Sequence, residues 1–177
     1  MSVPGYTIRK AHSADLSSLP DIERQAASLF ASRATELGFN PDVPVQVNSI
    51  ETLNAAQESG RVWVAVDSLN QPVGFALVLE IDGFAHLEEM DVLPCHGRKG
   101  LGAALLETVC IWAKERGYPA VTLSTFREVS WNGPFYRRHG FQVVDPTTLS
   151  KGLAQVVERE QRHGLRTDLR VIMRRDV

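Results

Sequence analysis

Leu87–Gly117, LEEMDVLPCHGRKGLGAALLETVCIWAKERG, reads as strand, turn and helix, and the rest of the chain is arranged around it. Leu87 to Leu93 alternates apolar and acidic side chains, as a half-buried strand does, and Pro94 stops it. His96-Gly97-Arg98-Lys99-Gly100-Leu101-Gly102 then places three glycines and two cations in seven residues. Leu101, Leu105, Val109 and Trp112 follow at helical spacing. Lys114 and Arg116 fall in the last turn, Gly117 suits the position after it, and Pro119 forbids continuation.

Glycines let a backbone approach a ligand closely, and the free N–H groups at a helix start attract anions. Arg98 and Lys99 add positive charge at the same point. The turn is therefore expected to bind a pyrophosphate; a plain glycine-rich connector is the alternative. A Walker A loop is excluded, because Ala103-Ala104 follow Gly102 where Lys-Ser/Thr belongs. A dinucleotide fingerprint lacks its third small residue at Leu105, and the following strand, Ala120 to Phe126, carries no acidic residue.

The stretch resembles the acetyl-CoA-binding motif of the GCN5-related N-acetyltransferases (GNAT), Gln/Arg-x-x-Gly-x-Gly/Ala after a strand ending in Val-x-Pro. Val92-Leu93-Pro94 and Gly100-Leu101-Gly102 match, while the first Gln/Arg position falls on Gly97 with Arg98 beside it. Downstream, Trp131-Asn132-Gly133-Pro134-Phe135-Tyr136-Arg137-Arg138-His139-Gly140-Phe141 is similar to the family's Asn-x-x-aromatic-Tyr-x-x-x-Gly-Phe segment. The resemblance covers Tyr6 to Val144. It implies an α/β fold with a mixed, mostly antiparallel central sheet flanked by helices and splayed where acetyl-CoA inserts.

The 177 residues suit a single domain, 1–177, with the motif-bearing core at about 60–145 and a C-terminal helix and strand at about 147–175. A hydrophobic content of 44% and a charged content of 23% are those of a soluble globular protein. A net charge of −2 gives no support to a general nucleic-acid binder, although local basic patches remain. Cys95 and Cys110 have no metal-ligand spacing and suggest no disulfide framework. No apolar run is long enough for a bilayer and no signal peptide is visible, so no membrane partner is expected and the cytoplasm is the expected compartment.

Taken in order, Tyr6 to Lys10 is a short strand. Leu16, Leu19, Ile22, Ala26, Leu29 and Phe30 form a helical stripe broken or restarted at Pro20. Gly38-Phe39-Asn40-Pro41 stops it, Asp42 to Val47 is loop, and Ser49 caps a short helix closed by Gly60. Strands follow at Arg61 to Val66, Val73 to Ile81 and Phe84 to Leu93, the last two joined by the hairpin signal Asp82-Gly83. Successive strands with tight turns make an antiparallel meander. Ala120 to Phe126, reached through a helix, should run parallel to the strand ending at Leu93. A short helix begins at Ser130 or Asn132, Phe141 to Val144 returns as a strand, Thr147 to His163 is helical, and Leu169 to Met173 is the last strand.

An acetyltransferase of this kind needs a pyrophosphate cradle, assigned to Arg98, Lys99, Gly100, Leu101, Gly102 and Ala103. By resemblance, the backbones of Met90, Val92 and Leu93 hold the pantetheine arm, and an N–H near Val92 polarises the thioester carbonyl. A base must take a proton from the arriving ammonium, whose pKa is about 10. Strand alternation divides His86 and Glu88 from Glu89 and Asp91, and the family's face is that of Glu88, the first choice, with His86 second. Tyr136 matches the family tyrosine that protonates the departing thiolate; a core tyrosine with a satisfied hydroxyl is the alternative. Asn132 matches the residue that contacts the cofactor arm, or is a simple helix cap. Arg127 and Arg138 reach phosphate or substrate, or are surface cations; Trp131 walls the acceptor pocket or not; Trp63 and Trp112 read as core.

The function implied is transfer of an acetyl group from acetyl-CoA, as co-substrate and without a metal, to a primary amine by direct attack in a ternary complex. The acceptor expected is a small-molecule amine. A protein lysine or N-terminal acetyltransferase, a non-catalytic acyl-CoA-binding sensor, and a nucleotide-binding domain of another type stay open. A homodimer is a further expectation, since members of the family often form one and the C-terminal strand would supply an edge.

Overall fold

The computed structural model describes residues 3–38 and 47–177. The expected stop at Phe39-Asn40-Pro41 and the expected loop from Asp42, except for Val47, lie outside the described residues. Seven strands form one sheet: β1 (Thr7–Lys10), β2 (Val62–Val66), β3 (Pro72–Ile81), β4 (Phe84–Val92), β5 (Ala120–Phe126), β6 (Gln142–Val143) and β7 (Arg170–Asp176). Their order is β1-β2-β3-β4-β5-β7-β6, and β4 with β5 is the parallel pair among otherwise antiparallel neighbours. The meander and the parallel crossover are those the sequence predicts. The C-terminal strand is not: β7 is paired on both sides, so it does not offer the free edge expected for a dimer. The outer strands are β1 and the two-residue β6.

Six α-helices lie among the described residues: α1 (Leu19–Ala27), α2 (Ala34–Leu37), α3 (Ile50–Glu58), α4 (Leu101–Glu115), α5 (Gly133–Arg138) and α6 (Lys151–Arg162). Pro20 sits in the first turn of α1, where its missing N–H costs nothing, and a 3-10 turn over Ser13–Ser18 precedes it. The stripe continues past α1 as a second 3-10 segment, Ser28–Arg33, in which Leu29 is exposed. Ser49 accepts from the Thr52 N–H at 3.2 Å and starts α3, as expected of a cap. The last helix starts later than its apolar pattern suggests, because Asp145-Pro146 folds into a separate 3-10 turn first.

The helices cover both faces. Leu101, Leu105 and Val109 of α4 pack with Ala76, Val78, Ala85, Leu87, Val121 and Leu123 on one face. Leu19 and Ile22 of α1 and Leu53 of α3 pack with Phe75 and Leu77 on the other. Leu153 and Val156 of α6 meet Ile172 and Ile81 farther along that second face. Trp63 is buried as predicted; Trp112 is half-buried and stacks edge-on against it at 5.1 Å.

Two irregularities shape the site. Leu77 lies opposite Glu89 and Val78 opposite Leu87, so Glu88 is an extra residue in β4, a β-bulge. The β4–β5 pairing runs only from Ala85–Val121 to Leu87–Leu123. Beyond that point the two strands part, leaving Glu88–Val92 and Ser124–Phe126 facing a gap. This is the splay implied by the family resemblance.

Close packing behind the gap is unforgiving at one glycine. A Cβ on Gly133, the first residue of α5, would lie 2.2 Å from the Arg127 carbonyl oxygen and 3.0 Å from that of Phe126. Both are backbone atoms and cannot swing aside. Gly133→Ala is expected to destabilise the fold by about 2–3 kcal/mol, lowering the melting temperature by roughly 4–12 °C. Gly102→Ala meets only Phe135 at 3.8 Å and Met90 at 4.0 Å and serves as the control. Equal melting of the two variants in a thermal scan would refute this.

Candidate active site

The turn entering α4 leaves an unusual number of backbone donors unused. The amides of His96 and Gly97 close a 3-10 turn onto Leu93 and Pro94, and that of Ala104 bonds to Gly100. Among the described residues, the six amides from Arg98 to Ala103 donate to no protein acceptor, and no side chain caps the helix. Gly100, at φ +88°, bends the chain so that they converge; Arg98 does the same at φ +58°, a strained conformation for a residue with a Cβ. Lys99 is tethered: its Nζ donates to the Tyr6 hydroxyl at 2.9 Å, and that hydroxyl lies 2.9 Å from His96 Nδ1. Tyr6 is a partner of the turn that no motif pointed to. The side chains of Arg98 and Lys99 are exposed.

The bulge re-aims β4. Residues directly opposite across an antiparallel pair share a face. Leu79, Leu77 and Phe75, opposite His86, Glu89 and Asp91, all point towards α1 and α3. Met90 and Val92 instead join the α4 face. The expected division of His86 and Glu88 from Glu89 and Asp91 does not hold, because the extra residue returns the later pair to the face of His86. Glu23 of α1, 5% exposed, comes down beside them and accepts from the Asn48 backbone N–H at 3.1 Å and from its side-chain amide. A glutamate inside the buried pattern Leu19, Ile22, Glu23, Ala26 was the available sequence signal.

The four β4 candidates differ sharply. His86 is 1% exposed, hydrogen-bonds Thr122 Oγ1 through Nδ1 at 2.9 Å, and is pushed down to about 4, first by burial and then by Arg159. Glu88 stands 3.8 Å from His86 Nε2, and both of its oxygens accept from Arg159 of α6, at 2.6 and 2.8 Å. Glu89 and Asp91 have no cationic partner within ion-pair distance among the described residues. Burial, then the charges of Asp91, Glu23 and Glu88, hold the Glu89 carboxyl well above the usual carboxylate range. Burial and Glu23 push Asp91 up to about 8.

Tyr136 approaches from the other face. Its ring packs edge-on against Phe135 at 5.1 Å and Phe141 at 5.7 Å. The residue is 8% exposed, yet its hydroxyl has no protein hydrogen-bond partner among the described residues. Burial raises its pKa above the ordinary tyrosine value, and the charges of Glu89 and Asp91 raise it further. The β4–β5 pairing ends at Leu87–Leu123, so the sheet is open between these groups. Asn132 reaches the same place. Its amide donates to Thr125 Oγ1 at 2.8 Å, its Oδ1 is buried without a partner, and it makes no helix-capping bond.

The gap edge is also selective. Leu93 donates its N–H to Val73 and accepts from His96, so its backbone is already committed. Because successive residues of a strand turn their N–H groups to opposite sides, those of Met90 and Val92 face the gap. Trp131 is 42% exposed and packs on Phe30 at 5.7 Å, joining the segment after α1 to the β5–α5 turn. Arg127 and Arg138 lie on the surface. Among the described residues no helix is long and apolar enough to cross a membrane.

Comparison with known proteins places this geometry. Residues 58–143 match the family described as acetyltransferase (GNAT) domain. The PaiA N-acetyltransferase of Thermoplasma acidophilum, solved with coenzyme A, is similar over 100% of both chains at 19% identity and a TM-score of 0.69. The N-acetylglutamate synthase of Neisseria gonorrhoeae, solved with coenzyme A and N-acetyl-glutamate, aligns with 97% of this chain and 35% of its own, at 17% identity and a TM-score of 0.68. The ribosomal-protein-S18-alanine N-acetyltransferase of Escherichia coli aligns over 97% and 94%, at 21% identity and a TM-score of 0.65.

Proposed function

The chain belongs to the GNAT acetyltransferases through its domain at residues 58–143, and from that premise we propose that it moves the acetyl group of acetyl-CoA to the primary amine of a small molecule. The observation that carries the proposal is the parting of β4 from β5 beside a turn whose six amides from Arg98 to Ala103 are unused among the described residues.

The donor set fits acetyl-CoA. Six convergent amides and a helix start suit its diphosphate. The N–H groups of Met90 and Val92 and the orphaned Oδ1 of Asn132 suit the amides of its pantetheine arm. When bound, acetyl-CoA supplies an acyl group activated as a thioester. The Val92 N–H stabilises charge on the carbonyl oxygen. We assign the proton acceptor to the Glu89–Asp91 pair, two carboxyls both held above the usual carboxylate range. Glu88, the first choice from the sequence, keeps a positioning part, since its lone pairs are engaged by Arg159. His86 lies buried beside it, with Nε2 3.8 Å from the Glu88 carboxylate. Tyr136 donates to the departing sulfur. The ammonium gives one proton to the carboxyl pair, which releases it to solvent; the neutral amine attacks the carbonyl carbon, the C–S bond breaks, and the second proton shed by the nitrogen makes good the one given to sulfur. The packed Phe30–Trp131 pair, which bridges the segment after α1 and the β5–α5 turn, supports a small acceptor over an extended peptide.

Thermal unfolding with acetyl-CoA, ATP or NAD tests the cofactor. At about a hundred times its Kd, a ligand stabilises by roughly 2.7 kcal/mol, a rise of about 5–10 °C at this size. A shift with acetyl-CoA alone is expected. No shift at millimolar acetyl-CoA would sink the proposal.

A further inference from the structure

The glycine-rich turn holds a strain that its own backbone does not oppose. Arg98 has φ +58°, a left-handed conformation that is costly for a residue with a Cβ and persists only where surrounding contacts impose it. The chain is anchored on either side of it. Upstream, the amides of His96 and Gly97 close onto Leu93 and Pro94; downstream, that of Ala104 bonds back to Gly100. Between these anchors the amides of Arg98 and Lys99 donate to no protein acceptor among the described residues.

One side chain spans the strained residue. The Tyr6 hydroxyl lies 2.9 Å from His96 Nδ1 and 2.9 Å from Lys99 Nζ, so it joins residues on both sides of Arg98. The direction of these bonds follows from their chemistry. An ammonium only donates, so the hydroxyl oxygen accepts from Lys99, and its own proton goes to His96 Nδ1. The Tyr6 ring also meets the His96 ring edge-on at 5.7 Å, and Lys99 Nζ lies 5.5 Å from its centroid. Tyr6 is itself fixed. Its amide donates to the Val3 carbonyl at 3.0 Å, its ring packs against the core on the α4 face, and the next residue starts β1.

We infer that Tyr6 is a positioning residue for acetyl-CoA: its hydroxyl clamps His96 to Lys99 and so holds Arg98 in the left-handed conformation that turns the following amides towards the diphosphate. The inference rests on the acetyl-transfer reading and adds to its cofactor site a residue from β1's threshold, 90 residues before the turn. Without the clamp, Arg98 relaxes to an ordinary backbone conformation. Binding must then rebuild the cradle, and the cost of doing so is subtracted from affinity.

Acetyl-CoA binding to the full chain, titrated by calorimetry, tests this. Tyr6→Phe keeps the ring, removes only the hydroxyl, and is expected to weaken acetyl-CoA about tenfold. The same substitution is then made in an Arg98→Gly background. Glycine adopts positive φ freely, so little strain is left to hold, and Tyr6→Phe is expected to weaken binding there by about twofold or less. A tyrosine that only steadied the fold would have the same effect in both backgrounds. His96→Ala cuts the other arm of the clamp. It is expected to weaken acetyl-CoA as Tyr6→Phe does, with the double variant no worse than either. Should Tyr6→Phe fail to fold, His96→Ala in the two backgrounds decides by the same criterion. Unchanged affinity in Tyr6→Phe, an equal loss in both backgrounds, or additive losses for Tyr6→Phe and His96→Ala would overturn the clamp and leave acetyl transfer standing. Failure of the wild type to bind acetyl-CoA would remove both.

Discussion

Tyr136→Phe is expected to lower kcat about a hundredfold while leaving acetyl-CoA affinity within about twofold, the size of effect seen when one donor to developing charge is removed. The hydroxyl stands at the end of a buried ring. It bonds to nothing in the protein, so removing it strands no partner. A structural tyrosine in the same core would show the opposite: its loss would cost stability through an unpaired neighbour. Here the melting temperature should stay level or rise slightly as activity falls. The direction of the acidity shift defines the chemistry. Burial and the carboxyls of Glu89 and Asp91 keep the phenol protonated above its usual range. A free thiol titrates near 8.5, so complete transfer from this phenol to a thiolate is uphill. Tyr136 therefore acts first as a hydrogen-bond donor to sulfur as its charge develops. Single-turnover rates with saturating acetyl-CoA separate this step from binding. An unchanged kcat would remove Tyr136 from the mechanism.

The fold was largely legible because its signals are local. Pro94, the glycines of the turn, the apolar spacing from Leu101 to Trp112 and the hairpin at Asp82-Gly83 each act within a few residues. What was illegible depends on pairing. Nothing in LEEMD marks Glu88 as the residue that finds no partner in β3; the bulge exists because β3 and β4 must both keep apolar faces towards α4 while β4 parts from β5. That one extra residue overturned the alternation that had separated Glu89 and Asp91 from His86. The place of β7 between β5 and β6 was equally hidden, since strand order is set by long-range contacts and not by the arginine-rich pattern of β7 itself. Arg159 was invisible for a related reason. It lies 71 residues from Glu88 on a helix whose sequence reads simply as amphipathic. Asn132 shows the converse case: the motif singled it out, and only the structure distinguishes a cap from an orphaned acceptor facing the gap.

Asp91→Asn should reduce kcat/KM for an amine acceptor by about a hundredfold or more near pH 7.5 and move the alkaline rise of the wild-type profile to higher pH. The groups that face Asp91 set the sign. Glu23 from α1 and Glu88 and Glu89 from β4 surround it with negative charge, Tyr136 from α5 is neutral, and Arg159 from α6 is committed to Glu88. Burial and the charge of Glu23 push the Asp91 carboxyl up to about 8. Below that pH it holds a proton and cannot take another; above it the carboxylate is free to accept one. Wild-type kcat/KM is therefore expected to climb as pH rises through about 8. Without Asp91, deprotonation is left to the amine itself, whose pKa is about 10, and the rise should move up accordingly. Asparagine keeps nearly the same shape and removes a buried negative charge from a crowded site, so the variant should be at least as stable as the wild type. Loss of activity with gain of stability would be the mark of a functional rather than a structural carboxyl. Glu88→Gln, measured beside it, decides between the two positions on β4. If Glu88→Gln erases the limb and Asp91→Asn retains it, the proton acceptor is Glu88, and the Arg159 pair must open during turnover.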